Sequence, residues 1–225
     1  MAQVTGVIVF TGIITEIGTV ERTERMGGGV RLAIRAPGSA AELHVNDSVA
    51  VNGACQTVVT MDRSLFRVET VEETLLKTTL GELTNGSRVN LELPVRLSDR
   101  LGGHLVAGHV DSVGVVEEIV SQASSQLVHI SYPREFSRYL IPVGSIAVDG
   151  ISLTVARLEG NVFVVSIIPH TLEHTTLGSA RRGTRVNLEF DMVGKYIERL
   201  VTEGRSGQSG EGITPEKLAR WGIGT

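Results

Sequence analysis

Residues 53–92 read GACQTVVTMDRSLFRVETVEETLLKTTLGELTNGSRVNLE, and residues 150–189 read GISLTVARLEGNVFVVSIIPHTLEHTTLGSARRGTRVNLE. Without a gap, 17 of these 40 positions are identical, including TTLG (78–81 and 175–178) and VNLE (89–92 and 186–189). Such a match indicates an internal duplication. Its offset of 97 residues is the size of a small domain and too long for a solenoid repeat.

The duplication extends toward the N-terminus, where FTGIITEIGTVE (10–21) matches VAGHVDSVGVVE (106–117) at an offset one residue shorter. The two copies therefore fill most of the chain. We expect five segments: an extension (1–8), a first domain (9–104), a second domain (105–190), a C-terminal helix (191–203) and a flexible tail (204–225).

Composition narrows the class of protein. The chain has 225 residues, of which 41% are hydrophobic and 20% charged, and its net charge is −4. It can form folded cores and lacks the clustered basic face of a nucleic-acid-binding protein. No basic leader precedes the first apolar stretch, and no window reaches the roughly 18 apolar residues of a membrane span, so we expect a cytoplasmic protein. The single cysteine, Cys55, excludes an intramolecular disulfide and a cysteine zinc site.

Short alternating or β-branched stretches, such as 49–51, 66–71 and 162–168, are separated by turn residues at intervals of about ten residues. This spacing predicts one compact antiparallel barrel per copy, because closure removes exposed strand edges. Helical patterns are fewer. They fall at 72–76, 134–140, 169–173 and 191–202.

The last helical segment places Val193, Ile197, Leu200 and Val201 on one face. That apolar face could dock on either domain or contact other copies of the chain. The residues alone do not distinguish docking on a domain from contact with other copies.

Six motifs in a fixed order resemble riboflavin synthase of the α-chain type. They are FTGII (10–14), VNGACQTV (51–58), RLGGHLVAGHVDSVG (100–114), GSIAVDGISLTV (144–155), IPHTLEHTTLG (168–178) and VNLEFDMVGKYIERL (186–200). The resemblance runs from Phe10 to about Leu200, and several motifs in order are far more specific than a single one.

The resemblance implies an all-β fold of two tandem homologous six-stranded Greek-key barrels followed by a trimerisation helix. It implies a transferase that moves a four-carbon unit between two molecules of 6,7-dimethyl-8-ribityllumazine. The products would be riboflavin and 5-amino-6-ribitylamino-uracil, in the last step of riboflavin biosynthesis. It further implies a homotrimer in which pockets of neighbouring subunits face each other, with no metal or organic cofactor and with lumazine synthase as a further partner.

The two copies differ where acid–base chemistry is needed. His109 occupies the position of Ile13, and histidine commonly serves as a general base near neutral pH, as removal of a proton from the 7-methyl group requires. The resemblance also carries a functional histidine to this position. His104 is the weaker candidate, and a structural role in the connection between the domains is the favoured interpretation.

A second asymmetric pair is formed by Cys55 and Ser152. Cys55 is either an inert packed thiol or a contact of the acceptor ring, and addition to that ring is an open alternative. Ser152 and Thr154 would hydrogen-bond the donor ring or a water, with Asp149 orienting them or sharing a proton, although Asp149 is also a turn signal before Gly150. The resemblance adds Ser48. The predicted catalytic set is His109, Cys55, Ser152, Thr154, Asp149 and Ser48.

A flat ring with alternating donors and acceptors suits exposed strand edges, and Glu73, Thr74 and Thr171 suit the ribityl hydroxyls. The predicted N-terminal pocket comprises Phe10, Gly12, Ile13, Ile14, Cys55, Gln56, Thr57, Glu69, Thr70, Val71, Glu72, Glu73 and Thr74. The predicted C-terminal pocket comprises Gly108, His109, Val110, Arg138, Ser152, Leu153, Thr154, Ser166, Ile167, Ile168, Pro169, His170 and Thr171.

The chain departs from the family pattern at three places: residues 1–8, Gln56 and His170. We expect translation to start at Val9. Two other functions remain as alternatives. A non-catalytic lumazine or flavin carrier would share the fold, and a Cys-His hydrolase would need Cys55 and His109 within hydrogen-bond reach.

Overall fold

The computed structural model describes residues 9–206, with side chains through residue 202. The expectations for residues 1–8 and for residues 207–225 therefore lie outside the described part of the chain.

The first repeat forms a closed antiparallel barrel in the strand order β1-β2-β5-β4-β3-β6. The pairing of β2 with β5 and of β3 with β6 gives Greek-key connections. The strands are β1 (Glu16–Met26), β2 (Gly29–Arg35), β3 (Ser48–Val51), β4 (Ala54–Asp62), β5 (Leu65–Thr70) and β6 (Arg88–Glu92).

The second repeat closes in the same way, so the prediction of two six-stranded barrels is confirmed. Even the irregularities are duplicated: β1 and β7 shift register after Val20 and Val116, and β4 and β10 shift after Val58 and Val155. The strands are β7 (Ser112–Ser121), β8 (Gln126–Ser131), β9 (Ser145–Val148), β10 (Ile151–Glu159), β11 (Val162–Ile167) and β12 (Arg185–Phe190).

Short helices lie at matching positions of the two barrels. Helix α2 (Glu72–Lys77) follows β5, and α3 (Pro169–His174) follows β11, as the sequence predicts. A 3-10 helix at Arg134–Tyr139 lies within the predicted helical segment 134–140. The structure adds α1 (Pro37–Glu42), which sequence analysis missed because six residues containing Pro and Gly show no helical apolar period.

Each barrel has its own apolar core. Leu32, Ile34 and Phe66 are fully buried in the first. The second is richer in aromatic residues, and Phe136 stacks on Phe190 with 4.9 Å between ring centroids. The two cores make each barrel a stable platform for the residues on its surface.

Helix α4 (Met192–Ser206) follows the second barrel, and from Val193 onward it belongs to a separate compact unit. It ends four residues beyond the predicted helix (191–202), inside the segment expected to be flexible. The side chains of Val193, Ile197, Leu200 and Val201 are exposed. Among residues 9–206, no helix has the length and apolar character needed to span a membrane.

Candidate active site

The two barrels contact each other through reciprocal backbone hydrogen bonds. Phe10 and Val106 exchange both of their N–H···O bonds, at 2.8 and 3.0 Å. The Cys55 N–H donates to the Gly108 carbonyl, and the Ser152 N–H donates to the Gly12 carbonyl, each at 2.8 Å. Each contact made by a residue of the first barrel is therefore repeated by the equivalent residue of the second barrel, as in a two-fold symmetric dimer.

Glycine is required at both of these crossings. Gly12 and Gly108 each have a φ of 77°, in the left-handed region that other residues rarely adopt. A Cβ atom on Gly12 would lie 2.6 Å from the Ser152 Cβ, and one on Gly108 would lie 2.7 Å from the Cys55 Cβ. Any side chain here would push the barrels apart.

The segments that precede β1 and β7 cross to the opposite barrel, which corrects the predicted pocket sets. Ile14 packs against the core of the second barrel, and Val110 packs against the core of the first. Residues 12–14 therefore lie beside the second barrel and Ser152, whereas the predicted pocket sets place them with Cys55. Residues 108–110, including His109, accompany Cys55. A comparison of one repeat with the other cannot reveal this exchange, because both copies make it symmetrically.

Cys55 is a protonated thiol in this environment. Burial raises its pKa, the nearby Glu189 raises it further, and a hydrogen bond with Ser48 partly opposes both effects. Since the thiolate is the nucleophilic form, Cys55 is poorly suited to attack a ring. Its proximity to Ser48 and to the Gly108 carbonyl suits polar contact with a ligand.

Four predicted contact residues have buried side chains: Phe10, Gln56, Thr70 and Ile167. Phe10 packs at the barrel junction with Val106. The Gln56 side chain accepts a 2.8 Å hydrogen bond from the Thr70 hydroxyl, and its amide nitrogen donates to the Cys55 carbonyl. Gln56 also lies on the opposite face of β4 from Cys55, because side chains alternate along a strand. Because their side chains are buried, these four residues can offer a ligand at most their backbone groups.

The hydrogen-bond partner of Ser152 is His104, the weaker of the two histidine candidates. His104 Nδ1 lies 2.7 Å from the Ser152 hydroxyl, and the His104 N–H donates to the Thr11 carbonyl at 3.1 Å. Burial lowers the pKa of His104, and the charge of Asp191 opposes this only in part. The ring is therefore neutral near pH 7 and can exchange a hydrogen bond with Ser152.

A sequence signal for His104 exists in the preceding glycines. A Cβ atom on Gly103 would lie 2.2 Å from the Thr11 carbonyl oxygen and 2.7 Å from the Ser152 Oγ. Glycine is thus needed for the connection to pass this close to Ser152. The GGH motif (102–104) indicates a close approach as well as a turn.

Asp149 lies in the turn before β10, at the barrel junction. Its Oδ1 accepts a 2.8 Å hydrogen bond from the Asn187 N–H, as the Asn52 Oδ1 does from the Asn90 N–H in the first barrel. Burial raises the pKa of Asp149 to about 7, although the Asn187 hydrogen bond lowers it. This geometry supports the turn role of Asp149 directly, whereas the structure gives it no contact with Ser152 or Thr154.

The first barrel has a cleft of about 440 Å³ beside α2. Five predicted residues line it: Glu69, Thr70, Val71, Glu72 and Glu73. The corresponding stretch of the second barrel leads into α3 and exposes Ser166, Ile168, Pro169 and His170.

Three further predicted residues also face solvent. Ile13 and His109 are exposed at matched positions, and Arg138 is exposed on its 3-10 helix, where it packs against Tyr139. Within residues 9–206, no three His, Cys, Asp or Glu side chains form a cluster that could hold a metal ion.

Comparison with known proteins agrees with this duplicated architecture. Residues 11–94 and 107–191 each match the family described as Lumazine binding domain. Riboflavin synthase of Mycobacterium tuberculosis (strain ATCC 25618 / H37Rv) is 50% identical over 199 residues, covering 85% of this chain and 98% of the relative. Riboflavin synthase of Bacillus subtilis (strain 168) is 36% identical over 214 residues, covering 95% and 100%.

Two solved structures share the fold. LumP complexed with 6,7-dimethyl-8-(1'-D-ribityl) lumazine has a TM-score of 0.73 at 23% identity, and LumP complexed with riboflavin has a TM-score of 0.75 at 22% identity. Each covers 80% of this chain and 98% of the LumP chain.

Proposed function

The chain belongs to the riboflavin synthase family, and from this premise we propose that it converts two molecules of 6,7-dimethyl-8-ribityllumazine into riboflavin and 5-amino-6-ribitylamino-uracil. The observation that carries this proposal is the duplicated barrel. The reaction consumes two copies of one compound, and two barrels of the same strand order offer two similar binding surfaces. Holding two reactants in register can lower a barrier by roughly 7–11 kcal/mol.

His109 is the proposed base that removes the proton from the 7-methyl group. It is exposed, it follows the glycine that bonds to Cys55, and its counterpart Ile13 cannot accept a proton. The asymmetry gives the two otherwise similar surfaces different chemical capacities.

Cys55 and Ser152 are the proposed polar contacts of the two rings. The protonated Cys55 thiol beside Ser48 can donate a hydrogen bond to the acceptor ring. On the other side, the neutral His104 orients the Ser152 hydroxyl, and Thr154 is exposed on the same face of β10. His104 is therefore added to the predicted set as a positioning residue. Asp149 would act only through the turn that precedes Ser152.

A homotrimer is the proposed assembly. Helix α4 exposes Val193, Ile197 and Leu200 on one face, and a helix with such a face is stabilised when copies of it pack together. We place the reaction between the first barrel of one subunit and the second barrel of a neighbour, in the cytoplasm, with lumazine synthase as a further partner. Native mass spectrometry tests the assembly: a trimer is expected, and Leu200→Glu should give inactive monomers. An active monomer would contradict it.

The second candidate function is a non-catalytic lumazine or flavin carrier, because LumP, which has the same fold, was solved with lumazine and with riboflavin bound. One assay separates the two functions. The protein is incubated with 6,7-dimethyl-8-ribityllumazine alone, without metal or cofactor, and followed by absorbance. A synthase consumes about two molecules of lumazine for each riboflavin formed, whereas a carrier binds the lumazine and leaves its amount unchanged. The second result would overturn the proposed function.

A further inference from the structure

The VNLE motif occurs in both repeats, and its asparagines lie fully buried between the barrels. Asn90 is 0% exposed and Asn187 is 1% exposed. Neither is among the predicted catalytic or ligand-contacting residues. A buried amide with no partner is costly, so the groups that these side chains bind indicate what they do.

Asn187, in β12 of the second barrel, bonds to the first barrel through both ends of its amide. Its Nδ2 donates to the Asn52 carbonyl at 2.8 Å, and its Oδ1 accepts from the Thr79 N–H at 2.8 Å. Thr79 follows α2 and precedes the 3-10 helix at Leu80–Glu82. The second barrel therefore holds the end of the turn that contains α2.

Asn90, in β6 of the first barrel, makes the reciprocal contacts. Its Nδ2 donates to the Asp149 carbonyl at 3.0 Å, and its Oδ1 accepts from the Thr176 N–H at 2.8 Å. Thr176 begins the 3-10 helix at Thr176–Ser179, which follows α3. Each asparagine thus anchors the turn after the short helix of the opposite barrel.

One further hydrogen bond connects each anchor to a predicted ribityl contact. The Thr78 hydroxyl, next to Thr79, donates to the Thr74 carbonyl at 2.8 Å. The Thr175 hydroxyl, next to Thr176, donates to the Thr171 carbonyl at 2.7 Å. The path from Asn187 therefore ends on α2, and the path from Asn90 ends on α3.

We propose that Asn187 and Asn90 are crossed positioning residues, each of which sets the ligand affinity of the pocket beside the short helix of the other barrel. The inference rests on the proposed function, because it assigns the α2 and α3 walls to lumazine and riboflavin binding. Loss of the amide leaves the N–H of Thr79 or Thr176 unpaired, so the turn shifts to find another partner and the pocket wall moves with it. A barrel then depends on its neighbour in the same chain for full affinity.

The test is a riboflavin titration followed by amide NMR of the full-length protein. The shifts of Thr74 and Thr171 report on the two pockets separately. Asn187→Ala should weaken binding at the Thr74 reporter about fivefold and leave the Thr171 reporter near its wild-type affinity. Asn90→Ala should produce the reverse, so each variant is the matched control for the other.

The crossed pattern separates positioning from general destabilisation. Both variants remove equivalent contacts and should lower the unfolding temperature by similar amounts, so stability alone would predict equal losses at both reporters. Equal losses, or losses confined to the barrel that carries the substitution, would overturn the inference. If the wild type binds riboflavin at neither reporter, the proposed function is overturned instead.

Two proline variants cover the case in which the alanine variants fail to fold. Thr79→Pro and Thr176→Pro remove the N–H donors and leave both asparagines intact. Thr79 has a φ of −82° and follows the extended Thr78, and Thr176 begins a 3-10 helix after the extended Thr175, so both sites suit proline. Each variant should weaken the pocket of its own barrel. Unchanged affinity would show that the asparagine contacts do not set the pocket.

Discussion

The two barrels make matching backbone contacts with each other, whereas several side chains at equivalent positions differ in whether they can ionise or bind a ligand. Gly12 and Gly108, like Asn90 and Asn187, make the same contacts in both halves. By contrast, Ile13 corresponds to His109. Two further pairs differ in the same way: Cys55 with Ser152, and Asn52 with Asp149. The two repeats share the glycines and asparagines that hold the barrels together, and they differ in the chemistry of a few nearby side chains.

Of the substitutions at positions where the two barrels differ, replacement of His109 should change the activity most. His109→Ala is expected to lower kcat about 100- to 10,000-fold, because a general base typically contributes this much. The assay is conversion of lumazine alone, followed by absorbance. Ile13→Ala, at the matched position, should change the rate far less. Equal effects of the two substitutions would remove His109 from its proposed role.

Asp149→Asn should make the second barrel's turn resemble that of the first. Because the folded-state pKa of Asp149 is raised to about 7 from 3.8, the folded protein binds the proton more tightly than the unfolded chain does. Stability from this group is therefore full below pH 3.8, declines as the pH rises toward 7, and is absent above 7. Deprotonation of Asp149 lowers the free energy of unfolding by at most about 4 kcal/mol.

Urea unfolding at pH 5 and pH 8 measures this effect. Asp149→Asn should be more stable than the wild type at pH 8 and closer to it at pH 5. The complementary change, Asn52→Asp, should introduce a similar loss at pH 8 in the first barrel. If the stability of Asp149→Asn relative to the wild type is the same at both pH values, Asp149 does not titrate as described.

Gln56→Leu copies the residue of the second barrel into the first. It leaves the Thr70 hydroxyl without its partner, so a loss of about 1–3 kcal/mol in the free energy of unfolding is expected. The double variant Gln56→Leu with Thr70→Val removes both polar groups and should recover most of this loss. No recovery in the double variant would show that the hydrogen bond is not the cause.

Cys55→Ser should have the smallest effect. The thiol is protonated near neutral pH, so serine can replace it as a hydrogen-bond donor, and we expect a fall in kcat of about 3- to 10-fold. Ser152→Cys at the matched position serves as the control. A loss of activity by more than a thousandfold would instead indicate a covalent role for Cys55.

The barrels and helices α2, α3 and α4 can be predicted from the sequence because their signals are local or repeated. Alternation in β3 and β5 and turn residues between strands are visible within a few positions. Helix α1 was missed since it has no apolar period, and α4 continues to Ser206 through residues whose composition favoured a flexible tail. Candidate residues that differ between the copies, such as His109 and Cys55, were found by aligning the repeat with itself.

The duplication, the barrel in each copy and the positions at which the copies diverge follow from the amino-acid sequence, because they depend on residues close together along the chain or on a comparison of the two repeats. Which residues meet across the junction is visible only in the folded molecule. The exchange of residues 12–14 and 108–110, the contact of His104 with Ser152 and the crossed asparagine bonds join residues far apart in sequence. Such contacts exist only once both barrels have folded and packed together.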